Sequence, residues 1–159
     1  MPNLTMLKTI PPSLALLAAL AGAAAAQAPM SADQQAVQAV ITRVFDGMKE
    51  ADSAKVRTAF APGARFVTIG TRANPDTITY QAVDGWLSGI AGSNKAWEEK
   101  VKNVRIAVDG NIASAWMDYT FHLNGALRHC GVDSMELVKV KGEWKITQLA
   151  DTRRTTGCE

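Results

Sequence analysis

Four β-forming segments in a row, each joined to the next by tight-turn chemistry, restrict this chain more than any other feature. They run Trp97–Val108, Ile112–Leu123, Leu127–Val140 and Glu143–Asp151. The separators are Asp109-Gly110-Asn111, Asn124-Gly125 and Lys141-Gly142. Asn, Asp and Gly tolerate the positive φ that two-residue hairpin turns require. Strands this close in sequence pair as antiparallel neighbours, because a parallel connection needs a crossover of about a dozen residues or more. The C-terminal half is therefore an antiparallel meander.

The segment before it reads mostly as helix. Ser31 and Gln34 have capping-box spacing. Val37, Val40, Ile41, Val44, Phe45 and Met48 then recur every three or four residues, which predicts an amphipathic helix from Ala32 to about Glu50. A short helix restarts at Asp52 or Ser53, turns Val56, Ala59 and Phe60 inward, and stops at Pro62-Gly63. Ala64–Gly70 is strand-like, Asn74-Pro75-Asp76 is a turn, and Thr77–Tyr80 fits a second short strand. Val83, Trp86, Leu87 and Ile90 mark a further helix ending near Gly92. Helices first and strands last predict an α+β fold.

The N-terminus has a separate character. Lys8 is the only ionisable side chain before Asp33, and an uncharged Ala/Leu-rich run covers Ser13–Ala26. With the small-residue site Ala24-Ala25-Ala26, this is the pattern of a secretory signal peptide cleaved after Ala26. The run is shorter than the roughly 20 apolar residues of a membrane span. Residues 1–26 are thus expected to be a signal peptide and 27–159 a single exported domain, periplasmic or secreted, with no membrane association once the leader is removed. Charge is balanced, 17 Lys+Arg against 15 Asp+Glu, which gives no electrostatic reason to expect nucleic acid. Export would permit Cys130 and Cys158 to form a disulfide, worth roughly 3–4 kcal/mol by chain entropy. The alternative is two unpaired thiols.

Alternation along the strands assigns faces. With Lys141-Gly142 as a two-residue turn, Leu137 pairs with Ile146, Met135 with Gln148 and Asp133 with Ala150. Leu137, Met135, Trp144 and Ile146 then form the buried face. With Asn124-Gly125 as a two-residue turn, Trp116 sits opposite Asp133, Asp118 opposite Gly131, and Thr120 opposite His129. The predicted ligand-facing set is therefore Trp116, Asp118, Thr120, His129, Asp133 and Met135. A buried Asp has its pKa raised by desolvation and becomes an acid or hydrogen-bond donor, so Asp133, His129 and Asp118 are the candidate catalytic residues. Alternatively, Asp133 is held by backbone or by Arg153 or Arg154, and His129 is a wall residue. Arg153 and Arg154 point to opposite faces, so one of them can look inward, either as an anion clamp at the pocket mouth or as part of a solvated strand end. His122 is expected to be exposed at a hairpin tip. No metal is expected: His129 and Cys130 are strand neighbours and point apart. No phosphate loop, H-E-x-x-H or G-x-S-x-G motif occurs, and no cofactor is expected.

The element order, together with Ala51-Asp52 through Phe60-Ala61-Pro62-Gly63-Ala64, Gly131-Val132-Asp133-Ser134-Met135 and Gly142-Glu143-Trp144-Lys145-Ile146, resembles the nuclear transport factor 2-like superfamily. SnoaL-like cyclases and ketosteroid isomerases belong to it. The endings His129-Cys130-Gly131-Val132 and Asp151-Thr152-Arg153-Arg154 look like a subgroup of exported members. The resemblance implies a cone-shaped, strongly curved antiparallel sheet wrapped around the N-terminal helices, with a pocket in the concavity. It places the isomerase's protonated Asp at Asp133, its catalytic base near Thr68 and its helix-borne Tyr near Val44. Neither Thr68 nor Val44 can do those jobs, so steroid isomerisation is not implied. It also implies a homodimer through the open face of the sheet, where this reading puts Met117, Tyr119 and Phe121. Two functions follow: binding of a small, partly apolar molecule without turnover, or cyclase, isomerase or lyase chemistry by Asp133 or Asp118 with His129.

Overall fold

The computed structural model describes residues 29–70, 77–93 and 96–158. The leader read over 1–26 and the Asn74-Pro75-Asp76 turn lie outside the described residues. Three helices, α1 (Ala32–Lys49), α2 (Ser53–Arg57) and α3 (Val83–Ala91), accompany six strands: β1 (Phe60–Ile69), β2 (Ile78–Ala82), β3 (Trp97–Asp109), β4 (Ile112–Leu123), β5 (Ala126–Val140) and β6 (Glu143–Thr152). The sheet order is β2-β1-β6-β5-β4-β3. It is a curled, unclosed sheet with α1 in its concavity, which is the α+β architecture that the sequence predicts.

The capping box at Ser31 forms: Ser31 N donates to Gln34 Oε1 at 2.9 Å and Gln34 N donates to Ser31 Oγ at 3.2 Å. The apolar stripe of α1 then goes into the core, with Val37, Ile41 and Val44 fully buried against Met117, Met135, Leu137 and Ile146 of the sheet. Burying each such side chain contributes about 1.5–3 kcal/mol. Polar links fix the angle of α1 across the sheet: Gln34 Nε2 donates to the Ile106 carbonyl at 2.9 Å, while Lys139 Nζ and Trp144 Nε1 donate to Asp33 Oδ1 at 2.6 and 3.2 Å.

Two departures concern β1. It begins at Phe60, through Pro62-Gly63 rather than after it; those two residues sit where its pairing with β6 is irregular, between Phe60 and Arg65. It also runs parallel to β6, so the sheet is not wholly antiparallel. Hairpin chemistry fixes only the direction of chain neighbours, and β1 and β6 are far apart in sequence.

Three bulges set which side chains face the concavity. The turns themselves are tight: Asn124-Gly125 joins Leu123↔Ala126 and Lys141-Gly142 joins Val140↔Glu143, all four turn residues having φ between 51° and 83°. In the β4–β5 hairpin, however, His122 pairs with Leu127 and Phe121 with His129, which leaves Arg128 as an extra residue. Beyond it the register is shifted by one, so that Met117, not Trp116, lies opposite Asp133, Tyr119 opposite Gly131, and Phe121 opposite His129. In the β5–β6 hairpin Leu137 pairs with Ile146 as expected, but Thr147 is extra, and Met135 meets Leu149 while Asp133 meets Asp151. In β3, Asn103 and Val104 together oppose Met117, and Asn103 takes φ 55°. An inserted residue reverses the alternation beyond it.

Candidate functional site

The concavity holds a cavity of about 570 Å³ between α1, α3 and the inner face of the sheet. Aromatic side chains supply much of its apolar wall. Phe45 enters from α1, Trp86 from α3 and Phe66 from β1, with the Trp86 and Phe66 ring centroids 5.2 Å apart. Trp97 and Phe121 meet edge to face at 5.9 Å, and Phe121 stacks on His129 at 4.8 Å.

One polar cluster interrupts this wall: Glu99 of β3, Tyr119 of β4, Asp133 of β5, Asp151 of β6, and Arg153 just beyond it. Four adjacent strands each contribute one acid or phenol, with Asp133 directly opposite Asp151 and Tyr119 and Glu99 stepped along the register beside them. Asp133 and Asp151 are 2% and 4% exposed, depths at which a carboxylate needs a partner. Asp151 has two: Arg153 Nε donates to its Oδ2 at 2.6 Å, and the Tyr119 hydroxyl reaches the same oxygen at 3.4 Å while donating to the Thr152 carbonyl at 2.8 Å. Among the described residues Asp133 has no cation of its own. Its carboxyl group faces that of Glu99 within hydrogen-bonding reach, and two carboxyl groups can bond in this way only when a proton lies between them.

The electrostatics follow from that arrangement. Burial, joined by the charge of Glu99 and its hydrogen bond and by Asp151, holds Asp133 well above the ordinary carboxylate range against the pull of Arg153. Burial likewise lifts Glu99 to about 7, helped by the Asp151 charge and opposed by the Asp133 hydrogen bond and Arg153. The pair thus shares one proton, and burial holds both carboxyl groups above the ordinary carboxylate range. Burial and the three surrounding carboxyl groups raise the Tyr119 phenol, which stays neutral. Burial works against the Arg153 charge, but the charge of Asp151 and its bond to Arg153 outweigh it, and the guanidinium is held above its ordinary value.

A carboxyl group raised in the folded state favours folding at low pH. The native chain then binds more protons than the unfolded one, and stability falls as pH rises from the ordinary Glu value through about 7. Discounted for a half-buried side chain in an open cavity, the loss is of order 2 kcal/mol. Urea midpoints should thus be lower at pH 8 than at pH 5, and Glu99→Gln should reduce the difference by the Glu99 share, leaving the part due to buried Asp133. An unchanged slope in that variant would contradict a protonated pair.

The predicted site residues divide between the two faces. Asp133 and His129 line the cavity. Met135 is fully buried beneath it in the core. Trp116, Asp118 and Thr120 are on the opposite, convex face, because the Arg128 bulge shifts β4 against β5 by one residue. There Trp116 is 46% exposed and Asp118 Oδ2 accepts a 2.7 Å bond from Asn103 Nδ2. Conversely Met117, Tyr119 and Phe121, read as the open face, point into the concavity. His122 is half-buried and its Nδ1 is shielded from solvent. Cys130 and Cys158 are disulfide-bonded, with Cα atoms 5.5 Å apart. Glu99, Tyr119 and Asp151 escape the sequence reading. Glu99 alternates with Trp97 and Val101 on one face of β3, a carboxylate between two apolar residues, and that signal was present. The Thr147 bulge hides Asp151 from any alternation argument. Among the described residues, no three His, Cys, Asp or Glu side chains are arranged to hold a metal ion.

Residues 32–149 match the family model described as putative lumazine-binding. Among solved structures, the chain resembles a nuclear transport factor 2-like protein of unknown function from Shewanella baltica, at 23% identity and TM-score 0.64, over 80% of this chain and 100% of that one. A putative dehydratase of the same fold family from Streptomyces avermitilis aligns at 13% identity and TM-score 0.64, over 78% and 97%. A putative scytalone dehydratase from Novosphingobium aromaticivorans aligns at 13% identity and TM-score 0.63, over 77% and 85%. At these identities the likeness shows the fold. No curated protein matches the chain.

Proposed function

The chain belongs to the putative lumazine-binding family, within the nuclear transport factor 2-like superfamily, and from that premise we propose that it is an exported protein whose cavity binds a flat, partly apolar small molecule. The observation that carries this reading is the carboxyl pair Glu99–Asp133 set into an aromatic wall. Aromatic side chains offer area to a planar ring. When a ligand opens the bond between them, a protonated carboxyl group beside an ionised one offers one donor and one acceptor side by side. A ring with an adjacent N–H and C=O, as in a lumazine, complements both. Export is supported by the leader-like N-terminus and the disulfide, which suits an oxidising compartment.

A second reading, acid–base catalysis of a lyase, isomerase or cyclase kind, is favoured by one feature. A carboxyl group titrating near 7 suits proton transfer at neutral pH. Asp133 would be the acid, Glu99 the base, and His129, stacked on Phe121, a further polar contact. The two readings separate in one experiment. Protein purified from its own host should retain a small molecule in native mass spectrometry, with an intact mass placing the N-terminus at Gln27, and Asp133→Asn should lose that molecule. An empty wild type that converts a compound from a metabolite mixture, with turnover abolished in Asp133→Asn, would replace binding by catalysis.

A further inference from the structure

A second recess, of about 520 Å³, adjoins the cavity beside the carboxyl cluster. His129 and Arg153 line both, and the other walls of the recess include Arg128, Arg154, Thr68 and Thr155. No carboxylate lines it among the described residues. Arg128 and Arg154 make no ion pair among the described residues, whereas Arg153 is bound to Asp151. In a chain with almost balanced charge, three guanidinium groups thus share one recess.

The backbone builds this arrangement. Arg128 is the residue extruded by the β4–β5 bulge. Arg154 is held beside it by a two-way backbone bridge to Cys130, N to O at 2.9 Å in both directions, and the Cys130–Cys158 bond ties down the chain that follows. Like charges brought together by fixed backbone repel one another, and an oxyanion between them relieves that repulsion with charge-assisted hydrogen bonds.

We propose that this recess is an anion subsite, and that the ligand is an organic anion whose flat body fills the inner cavity while its carboxylate, sulfonate or phosphate group sits among Arg128, Arg153 and Arg154. The inference rests on the cavity reading above and adds the ligand's charge and orientation: the neutral polar end reaches Asp133 and the anionic end faces the mouth.

Two dyes of nearly equal body test it, 8-anilinonaphthalene-1-sulfonate and the uncharged N-phenyl-1-naphthylamine, with energy transfer from the protein's tryptophans as the readout of binding. The wild type should bind the sulfonate at least about tenfold more tightly, the worth of one good charge-assisted contact. The double variant Arg128→Gln/Arg154→Gln should abolish that preference and leave the neutral dye within about twofold. Both arginines are exposed and the Cys130–Arg154 bridge uses backbone atoms alone, so the variant should fold. If both dyes bind wild type equally, or the variant weakens both alike, the subsite is overturned while the cavity reading stands. If neither dye binds, both readings fall.

Discussion

Gly131→Ala is expected to yield little folded protein. A Cβ at Gly131 would run into the Thr152 carbonyl oxygen and into the Tyr119 ring, which lies across that glycine. Neither can step aside cheaply. The carbonyl is main chain at the end of β6, and it accepts the Tyr119 hydroxyl at 2.8 Å. Overpacking a well-filled site costs about 1–3 kcal/mol, and collision with backbone lies at or beyond the top of that range. The same contact positions the polar cluster, since Tyr119 also reaches Asp151. Any Gly131→Ala protein recovered should have a urea midpoint lowered by the equivalent of about 3 kcal/mol or more. A variant within 1 kcal/mol of wild type would mean that β5 and the β6 end are not clamped as described. Tyr119→Phe, which keeps the ring and removes the bond, should cost only about 0.5–1.5 kcal/mol.

Loss of the Cys130–Cys158 bond is the second large effect. The bond spans a sequence separation of 28 residues, and freeing that loop in the unfolded chain corresponds to about 3–4 kcal/mol. It encloses β6 and part of the polar cluster, with Asp133, Asp151 and Arg153 inside the loop and Glu99 and Tyr119 outside it. Cys158→Ser should therefore lower the midpoint by that amount without deleting any core side chain, because Cys158 itself is outside the core. Wild type measured with a reducing agent should behave like the variant, and the variant should not respond to it. A reductant-insensitive wild type would show that the bond does not form in the purified protein. An oxidising compartment is where such a bond persists, so this measurement also bears on the proposed export.

Proton linkage and the disulfide act on the same small region, but their signatures differ. The carboxyl pair lowers stability with rising pH through both Glu99 and Asp133. The covalent bond adds stability at every pH. Ligand binding at Asp133 would therefore be strongest where the pair holds its proton, and Glu99→Gln, a permanent neutral analogue, separates the two effects.

Local chemistry determined much of this protein. Side-chain spacing alone located α1 and α3, since an apolar stripe is a property of consecutive residues. Asn124-Gly125 and Lys141-Gly142 specified two-residue turns because few residues accept positive φ at both positions. Alternation within β5 put Asp133 and His129 on the concave side. Only the tertiary structure decided which residues meet them. Arg128, Thr147 and Asn103 carry no propensity that marks a bulge; each is extruded because the sheet must curl around α1, and bending a strand is done by adding a residue to one side of a pair. Those insertions moved Trp116, Asp118 and Thr120 outward, brought Tyr119 and Asp151 inward, and set the Glu99 carboxyl group against that of Asp133.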